Sequence, residues 1–407
     1  MSDPVSALTD KQIVVGITGS IAAYKSLELI RGLRVRSCQV HPVMTRCAQK
    51  FISPMSVEML AGERAIVDLF ENIHSGASHI HLSTLADAVL IAPATANTLG
   101  RLASGISDDI LCALVMATRS PVLLAPAMNE RMWLSPAVQE NVRRLELFGY
   151  RFVGPEKGSL ACGSSGVGRM SEPVRIIECI ESILTKKDFA GKRLVVTAGP
   201  TREYLDSVRF ISNRSSGKMG YAIAGELRCR GAEVVLISGP TNLNHPYGVE
   251  FCKVETAKEM RTEVLKVFPD SDGLIMVAAV GDYRPALLMS GKLKKKSHQD
   301  IAVRLVPNPD ILEEVSSMKG NRLLVGFCAE SESLVEHARE KLRRKNLDMI
   351  VGNDIEMDGS GFAGDTNKVV VLDRDDNLVR LPLMSKRELA RRLCDTISGL
   401  LEQPLNE

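Results

Sequence analysis

Cys162 stands in Leu160-Ala-Cys-Gly163, within Gly154–Pro173, a stretch dense in glycine, serine and proline. A thiol among such small residues is accessible rather than packed, which favours reactivity over a core role; an inert exposed cysteine is the alternative. His79 and His81 lie two apart in Ser78-His-Ile-His-Leu82. On extended backbone they share a face and could bind a metal, or one could act as an acid or base. Ordinary structural histidines are the competing reading. Asn129, in Pro126-Ala-Met-Asn-Glu-Arg-Met-Trp133, could hold a carboxylate through its amide N–H groups or simply cap a helix.

Other candidates depend on turns that expose backbone N–H groups. Gly16-Ile-Thr-Gly19-Ser20-Ile-Ala-Ala23 departs from the G-x-G-x-x-G dinucleotide pattern. Small residues between a strand and a helix still suit a phosphate, or else permit close strand–helix packing. Pro93-Ala-Thr95-Ala-Asn97-Thr98 gathers hydroxyl and amide groups able to hold a ring and a polyol chain, or to cap a helix.

The second half carries Thr197-Ala-Gly-Pro-Thr-Arg-Glu203 and Phe210-Ile-Ser-Asn213-Arg-Ser215-Ser216-Gly217-Lys218-Met-Gly220. The latter can grip a phosphate by hydroxyls, N–H groups and one cation, although its spacing is not that of a Walker A loop. Asp282, in Ala278-Ala-Val-Gly-Asp-Tyr-Arg284, follows an apolar run. In open α/β sheets, ligands bind at such strand ends. Lys292-Leu-Lys-Lys-Lys296 reads as a solvated cationic run in which one lysine could neutralise a triphosphate. Lys341 and Lys345 share one helix face.

These residues need strands and helices to hold them. Apolar runs at 12–18, 40–44, 87–92 and 121–125 predict buried strands separated by helical stretches. A long loop follows at 154–173, then a helix near 174–186 and a short linker at 185–192. A second strand series is predicted at 193–197, 233–238, 273–279, 323–327, 348–352 and 368–372. The expected division is residues 1–190 and 191–407, with no repeat period.

The 407 residues are 45% hydrophobic and 25% charged, with a formal net charge of +2. This is globular composition with no strong field directed at nucleic acid or membrane. The cysteines include no Cys-x-x-Cys pair, and no apolar run spans a bilayer. The amino terminus shows no secretory signal pattern, so a cytoplasmic enzyme is expected.

In order, G-I-T-G-S-I-A-A, S-H-I-H-L, A-P-A-T-A-N-T, A-P-A-M-N-x-x-M-W and L-A-C-G-x-x-G-x-G-R-M resemble the flavin mononucleotide (FMN)-dependent phosphopantothenoylcysteine decarboxylases. T-A-G-P-T-R-E, I-S-N-x-S-S-G-K-M-G, A-A-V-x-D-Y-R, K-x-K-K, N-P-D-I, G-F-x-A-E and K-x-x-x-K-N-L-D resemble the phosphopantothenate–cysteine ligases, especially the bacterial fused type. The implied fold is α/β throughout: a flavodoxin-like, Rossmann-like flavoprotein domain, then a second Rossmann-like parallel-sheet ligase domain.

The resemblance implies that Gly19, Ser20, Thr45, Thr95, Asn97, Thr98 and Ala127 surround FMN. It makes His79 catalytic, discounts a metal at His81, sets Asn129 on the substrate carboxylate and makes Cys162 the proton donor. Flavin oxidation of the cysteine side chain to a thioaldehyde gives the departing carboxyl electrons a sink. In the second domain the resemblance puts Asp282, Lys292, Asn308, Pro309, Asp310, Ile311, Leu312, Phe327, Lys341 and Lys345 on CTP. Asn213 would orient an acyl-cytidylate, while Ser215, Ser216, Gly217 and Lys218 form a phosphate-binding turn for substrate. Mg2+ is expected on the nucleotide phosphates, with its protein ligands undefined.

Substrates are thus phosphopantothenate, cysteine and CTP, and a homo-oligomer is implied. Gly281 stands where relatives more often have alanine. Two rival readings are a non-catalytic flavoprotein and a nicotinamide-dependent dehydrogenase; the missing G-x-G-x-x-G speaks against the second.

Overall fold

The computed structural model describes residues 7–70, 78–160, 163, 165–288, 291, 302–330, 333–354 and 364–402. Cys162 and Lys292 lie outside these, as does most of the glycine-rich segment 358–365. The chain divides into two compact units, Met1–Thr185 and Lys186–Glu407.

In the first unit the elements run β1 (Gln12–Ile17), α1 (Tyr24–Val35), β2 (Gln39–Met44), α2 (Pro54–Ala61), α3 (Ser78–Leu85), β3 (Ala88–Ala94), α4 (Ala96–Ala103), α5 (Ile110–Ala117), β4 (Val122–Pro126), α6 (Glu130–Trp133), α7 (Pro136–Leu147) and β5 (Arg151–Phe152). The hairpin strands β6 (Glu156–Ser159) and β7 (Ser165–Arg169) and helix α8 (Pro173–Leu184) follow. The sheet order is β2-β1-β3-β4-β5, with every pair parallel.

Both faces of this sheet are covered, which is why its strands are apolar without alternation. Ile13, Val15, Val40 and Leu90 pack with Leu29 and Leu33 of α1 and Ile176 and Ile180 of α8. Val14, Val89 and Ile91 pack with Leu99, Leu111 and Leu145 on the other face. From β1 the chain moves first to one side, into β2, and then to the other, into β3. The sheet's switch point therefore lies between β1 and β3.

Two expectations change here. The histidine segment is helical, not extended. Leu82 and Ala86, one turn apart, are buried against the α4–α5 side of the core, and that helical spacing decides the conformation. His79 and His81 therefore do not share a face. The expected long loop at 154–173 contains the antiparallel β6–β7 hairpin. Its glycines answer a packing demand. A Cβ on Gly168 would lie 2.2 Å from the Met128 carbonyl oxygen, and one on Gly166 would lie 2.3 Å from the Glu130 carboxyl carbon. Glu130 in turn accepts the Val167 N–H at 2.9 Å.

The second unit runs β8 (Arg193–Ala198), β9 (Arg202–Tyr204), β10 (Phe210–Ser212), α9 (Lys218–Cys229), β11 (Glu233–Ser238), β12 (Glu250–Lys253), α10 (Ala257–Val267), β13 (Gly273–Met276), β14 (Tyr283–Pro285), β15 (Leu305–Pro307), α11 (Ile311–Ser317), β16 (Leu323–Glu330), α12 (Leu334–Arg344), β17 (Met349–Asp354), β18 (Thr366–Asp373), β19 (Leu378–Ser385) and α13 (Lys386–Glu402). The main sheet order is β12-β11-β8-β13-β16-β17-β18-β19. It is parallel from β12 to β17, and β18 and β19 add antiparallel, so this sheet is mixed rather than purely parallel. Its switch point lies between β8 and β13. Helices α9 and α13 cover one face, and α10, α11 and α12 the other.

The segment read as a linker is part of this unit's core. Phe189 is fully buried, and Asp188 pairs with Arg230, each side chain 8% exposed.

Candidate active sites

At the carboxyl ends of β1–β4, the first unit opens a cavity of about 1240 Å3. Gly19, Ser20, Thr45, Thr95, Asn97, Thr98, Ala127 and Asn129 all line it. Ser20 caps the 3-10 turn Ile21–Ala23, its Oγ accepting from the Ala22 N–H at 3.3 Å. Thr95 caps α4, accepting from the Thr98 N–H at 3.4 Å, with the two hydroxyls 3.1 Å apart. Asn129 caps α6 through the Arg131 N–H at 2.9 Å. The capping alternatives weighed from sequence are thus realised, and they coexist with a place on the cavity wall. Gly19 allows close approach of two loops: a Cβ there would sit 2.6 Å from the Cys47 Cβ.

Sequence reasoning missed Thr18 and Lys25. Thr18 is buried, donates to the Pro93 carbonyl at 2.7 Å and accepts from the Thr95 N–H at 3.3 Å. Its place between Gly16 and Gly19 was the available signal. Lys25 is 7% exposed on α1 and pairs with Glu172 at 2.9 Å, which holds that carboxyl below the usual range. No short-range pattern joins residues 25 and 172.

His79 is not on the wall of this cavity. Its Nδ1 is buried and finds no hydrogen-bond partner among the described residues.

The second unit has a cavity of about 910 Å3, also at strand carboxyl ends. Asn213, Ser215, Ser216, Gly217, Lys218, Asp282, Asn308, Pro309, Asp310, Ile311, Leu312, Phe327, Lys341 and Lys345 line it. Asn213 spends its amide N–H groups on the Ala279 and Val280 carbonyls, 3.2 Å each, which locks two walls together. Asn308 donates to the Gly281 carbonyl at 2.7 Å, and Thr201 accepts the Gly281 N–H at 2.9 Å. Both peptide groups at Gly281 are held, and its φ is not positive. An alanine Cβ would come within 3.3 Å of Glu203 Cγ.

Gly217, the residue just before α9, has φ +78°, and a Cβ there would lie 2.7 Å from Thr241 Cγ2. Lys345 is buried and bonds Asp310 at 2.5 Å. Burial alone would push the Asp310 carboxyl up; Lys345 outweighs it and keeps that carboxyl low. Asn367 and Lys386, from the mixed end of the sheet, also line this cavity and were not anticipated.

Among the described residues no group of three or more His, Cys, Asp or Glu is arranged to hold a metal ion. Among them also, no helix is long and apolar enough to cross a membrane.

The fold and cavities define a protein of two α/β units, each with a cavity at its switch point, where open α/β sheets bind ligands. Residues 2–185 match the Flavoprotein family, and residues 189–401 match the DNA/pantothenate metabolism flavoprotein C-terminal domain. The chain is 42% identical to the coenzyme A biosynthesis bifunctional protein CoaBC of Vibrio parahaemolyticus, covering 98% of this chain and 100% of that protein. It is 41% identical to the protein of that name from Bacillus subtilis, over 97% and 98% of the two chains. The Vibrio cholerae protein is 43% identical over 95% and 97%. The chain belongs to this family of bifunctional coenzyme A biosynthesis proteins.

Proposed function

We propose a division of labour for this bifunctional phosphopantothenoylcysteine decarboxylase and phosphopantothenate–cysteine ligase. The second unit, Lys186–Glu407, joins cysteine to 4′-phosphopantothenate through an acyl-cytidylate, with CTP becoming CMP and pyrophosphate. The first unit, Met1–Thr185, then decarboxylates the product to 4′-phosphopantetheine with FMN. The observation that supports this reading is that residues distant in sequence line one cavity in each half: 18–20, 95–98 and 127–129 in the first, and 213–218, 278–283 and 307–312 with Lys341 and Lys345 in the second.

The residues present fit a flavin nucleotide. The donor set combines the hydroxyls of Ser20, Thr95 and Thr98, the Asn97 amide and the backbone of the Ile21–Ala23 turn, beside apolar Ala127 and Met128. Bound flavin would supply two-electron oxidation of the cysteinyl side chain and the electrons' return. Asn129 holds the substrate carboxylate, and Cys162 gives a proton to carbon. Ile21, Tyr24, Phe51 and Phe70 are exposed around the cavity, which supports assembly of copies about this site. His79 would then act across such a contact.

In the second unit a carboxylate is a poor electrophile, so its oxygen attacks the CTP α-phosphate and pyrophosphate leaves. The cysteine amine attacks the acyl carbon and CMP leaves. Asp282, Lys292, Phe327, Lys341, Lys345 and residues 308–312 hold the nucleotide. Asn213 orients the acyl-cytidylate, and Ser215 to Lys218 bind substrate. Mg2+ on the nucleotide phosphates and Lys292 offset the crowded charge.

The test is spectroscopic and catalytic together. Purified protein should be yellow with bound FMN, and CTP rather than ATP should drive pyrophosphate release with phosphopantothenate and cysteine. A colourless folded protein, or equal use of ATP, would overturn the corresponding half.

A further inference from the structure

Thr197 lies one residue before the end of β8, is fully buried and is not on the wall of the second cavity. Its partner across the ladder is Met276, where β13 ends. Beyond Met276 regular pairing stops, and only a single bridge joins Ala279 to Pro200. The N–H groups that leave the ladder need other acceptors. The Thr197 hydroxyl serves two of them: Oγ1 accepts from the Val277 and Ala278 N–H groups at 3.1 Å each. It donates its own proton to Met276 Sδ at 3.2 Å. Both lone pairs and the proton are thereby committed.

Residues 276–283 form a wall of the cavity, and its two ends are fastened by different groups. At the far end, Thr201 Oγ1 accepts the Gly281 N–H at 2.9 Å. Asn308 gives its side-chain amide to the Gly281 carbonyl and its backbone N–H to the Asp282 carbonyl, each at 2.7 Å. The near end hangs from the end of β8, through the Thr197 hydroxyl and through the Gly199 carbonyl, which accepts the Ala279 N–H at 2.9 Å. Between the two ends, the Ala279 and Val280 carbonyls accept from the Asn213 amide at 3.2 Å each.

We propose that Thr197 is a positioning residue for the amide-forming half of the ligation, acting through Asn213. The hydroxyl fixes Val277 and Ala278, these set where the next two carbonyls lie, and those carbonyls aim the Asn213 amide. This rests on the ligase reading above, in which Asn213 orients the acyl-cytidylate. In that half the cysteine amine forms the new C–N bond and gives up a proton, while the acyl C–O bond breaks and CMP leaves with the electron pair. Valine at 197 has the same shape but accepts nothing. Two N–H groups behind the wall then lose their acceptor, and the near end must shift to find others. The far end, which carries Asp282 of the nucleotide set, keeps Thr201 and Asn308 as anchors.

The experiment is rapid-quench analysis of the full-length enzyme with phosphopantothenate, CTP and cysteine, following pyrophosphate, acyl-cytidylate and CMP in the same samples. In Thr197→Val, first-turnover pyrophosphate formation and the KM for CTP should stay within about twofold, while CMP release slows about tenfold and acyl-cytidylate accumulates. Thr197→Ser, which keeps the hydroxyl, should restore CMP release. A loss of stability alone would lower all three species together and leave their ratio unchanged. That result would overturn the proposal, as would CMP release at the unsubstituted rate or a defect that falls first on pyrophosphate formation. If Thr197→Val does not fold, Thr197→Cys, whose sulfur is only a weak acceptor, carries the same prediction. Absence of acyl-cytidylate from the unsubstituted enzyme would instead defeat the ligase reading itself.

Discussion

The buried Thr18 hydroxyl accepts the Thr95 backbone N–H at 3.3 Å and so ties together the two loops flanking the first sheet's switch point. It also donates to the Pro93 carbonyl at 2.7 Å. Thr18→Val would strand both groups at about 1–3 kcal/mol. FMN retention, followed by absorbance of the protein fraction on dilution, should weaken about tenfold, and Thr18→Ser should restore it. Unchanged retention in Thr18→Val would show that the two loops hold their places without this link.

Gly217→Ala should damage ligation alone. Positive φ and a Cβ 2.7 Å from Thr241 Cγ2 force strain of about 1–3 kcal/mol onto the turn before α9. Pyrophosphate release should fall at least about tenfold, while carbon dioxide release from supplied phosphopantothenoylcysteine stays normal. Normal ligation would mean the turn does not position substrate.

The Asp188–Arg230 pair gives the second unit an acid-sensitive anchor. Arg230 Nε bonds Asp188 at 2.9 Å, and Ser398 adds a bond at 3.2 Å. Burial pushes the Asp188 carboxyl up, but the guanidinium outweighs it and the pKa is lowered. A lowered carboxylate pKa contributes stability above the ordinary aspartate value, lost as pH falls through the folded one. Asp188→Asn should cost about 3 kcal/mol at neutral pH in urea unfolding of this unit. The gap should narrow below about pH 4. A gap constant with pH would rule out the charge as its source.

Cys162→Ala should still release carbon dioxide but fail to deliver 4′-phosphopantetheine, because the last proton has no donor. Product analysis by mass spectrometry checks this. Normal phosphopantetheine output would remove Cys162 from the mechanism.

Much of this arrangement is legible from residue type alone. Buried parallel strands announce themselves as apolar runs, and Glu233–Ser238 falls where the run predicts it. Turn motifs such as those at 95–98 and 215–218 do reach cavities, because open α/β sheets gather ligands at strand ends. What escaped is non-local. The β6–β7 hairpin is dictated by how closely Gly168 must approach Met128, and α3 by burial of Leu82 and Ala86. The antiparallel β18–β19 end brings Asn367 and Lys386 to a cavity that also takes Gly199 and residues 213–220 from the start of this unit. No periodicity within either strand reports that.

The central claim is that two separate sites act in sequence. One incubation of phosphopantothenate, cysteine and CTP with His79→Asn, following pyrophosphate and carbon dioxide together, tests it most directly. Pyrophosphate should appear at the unsubstituted rate with no carbon dioxide, and Lys292→Gln should show the reverse defect, slowing pyrophosphate yet decarboxylating supplied phosphopantothenoylcysteine normally. Loss of both products in a folded His79→Asn protein would contradict the account.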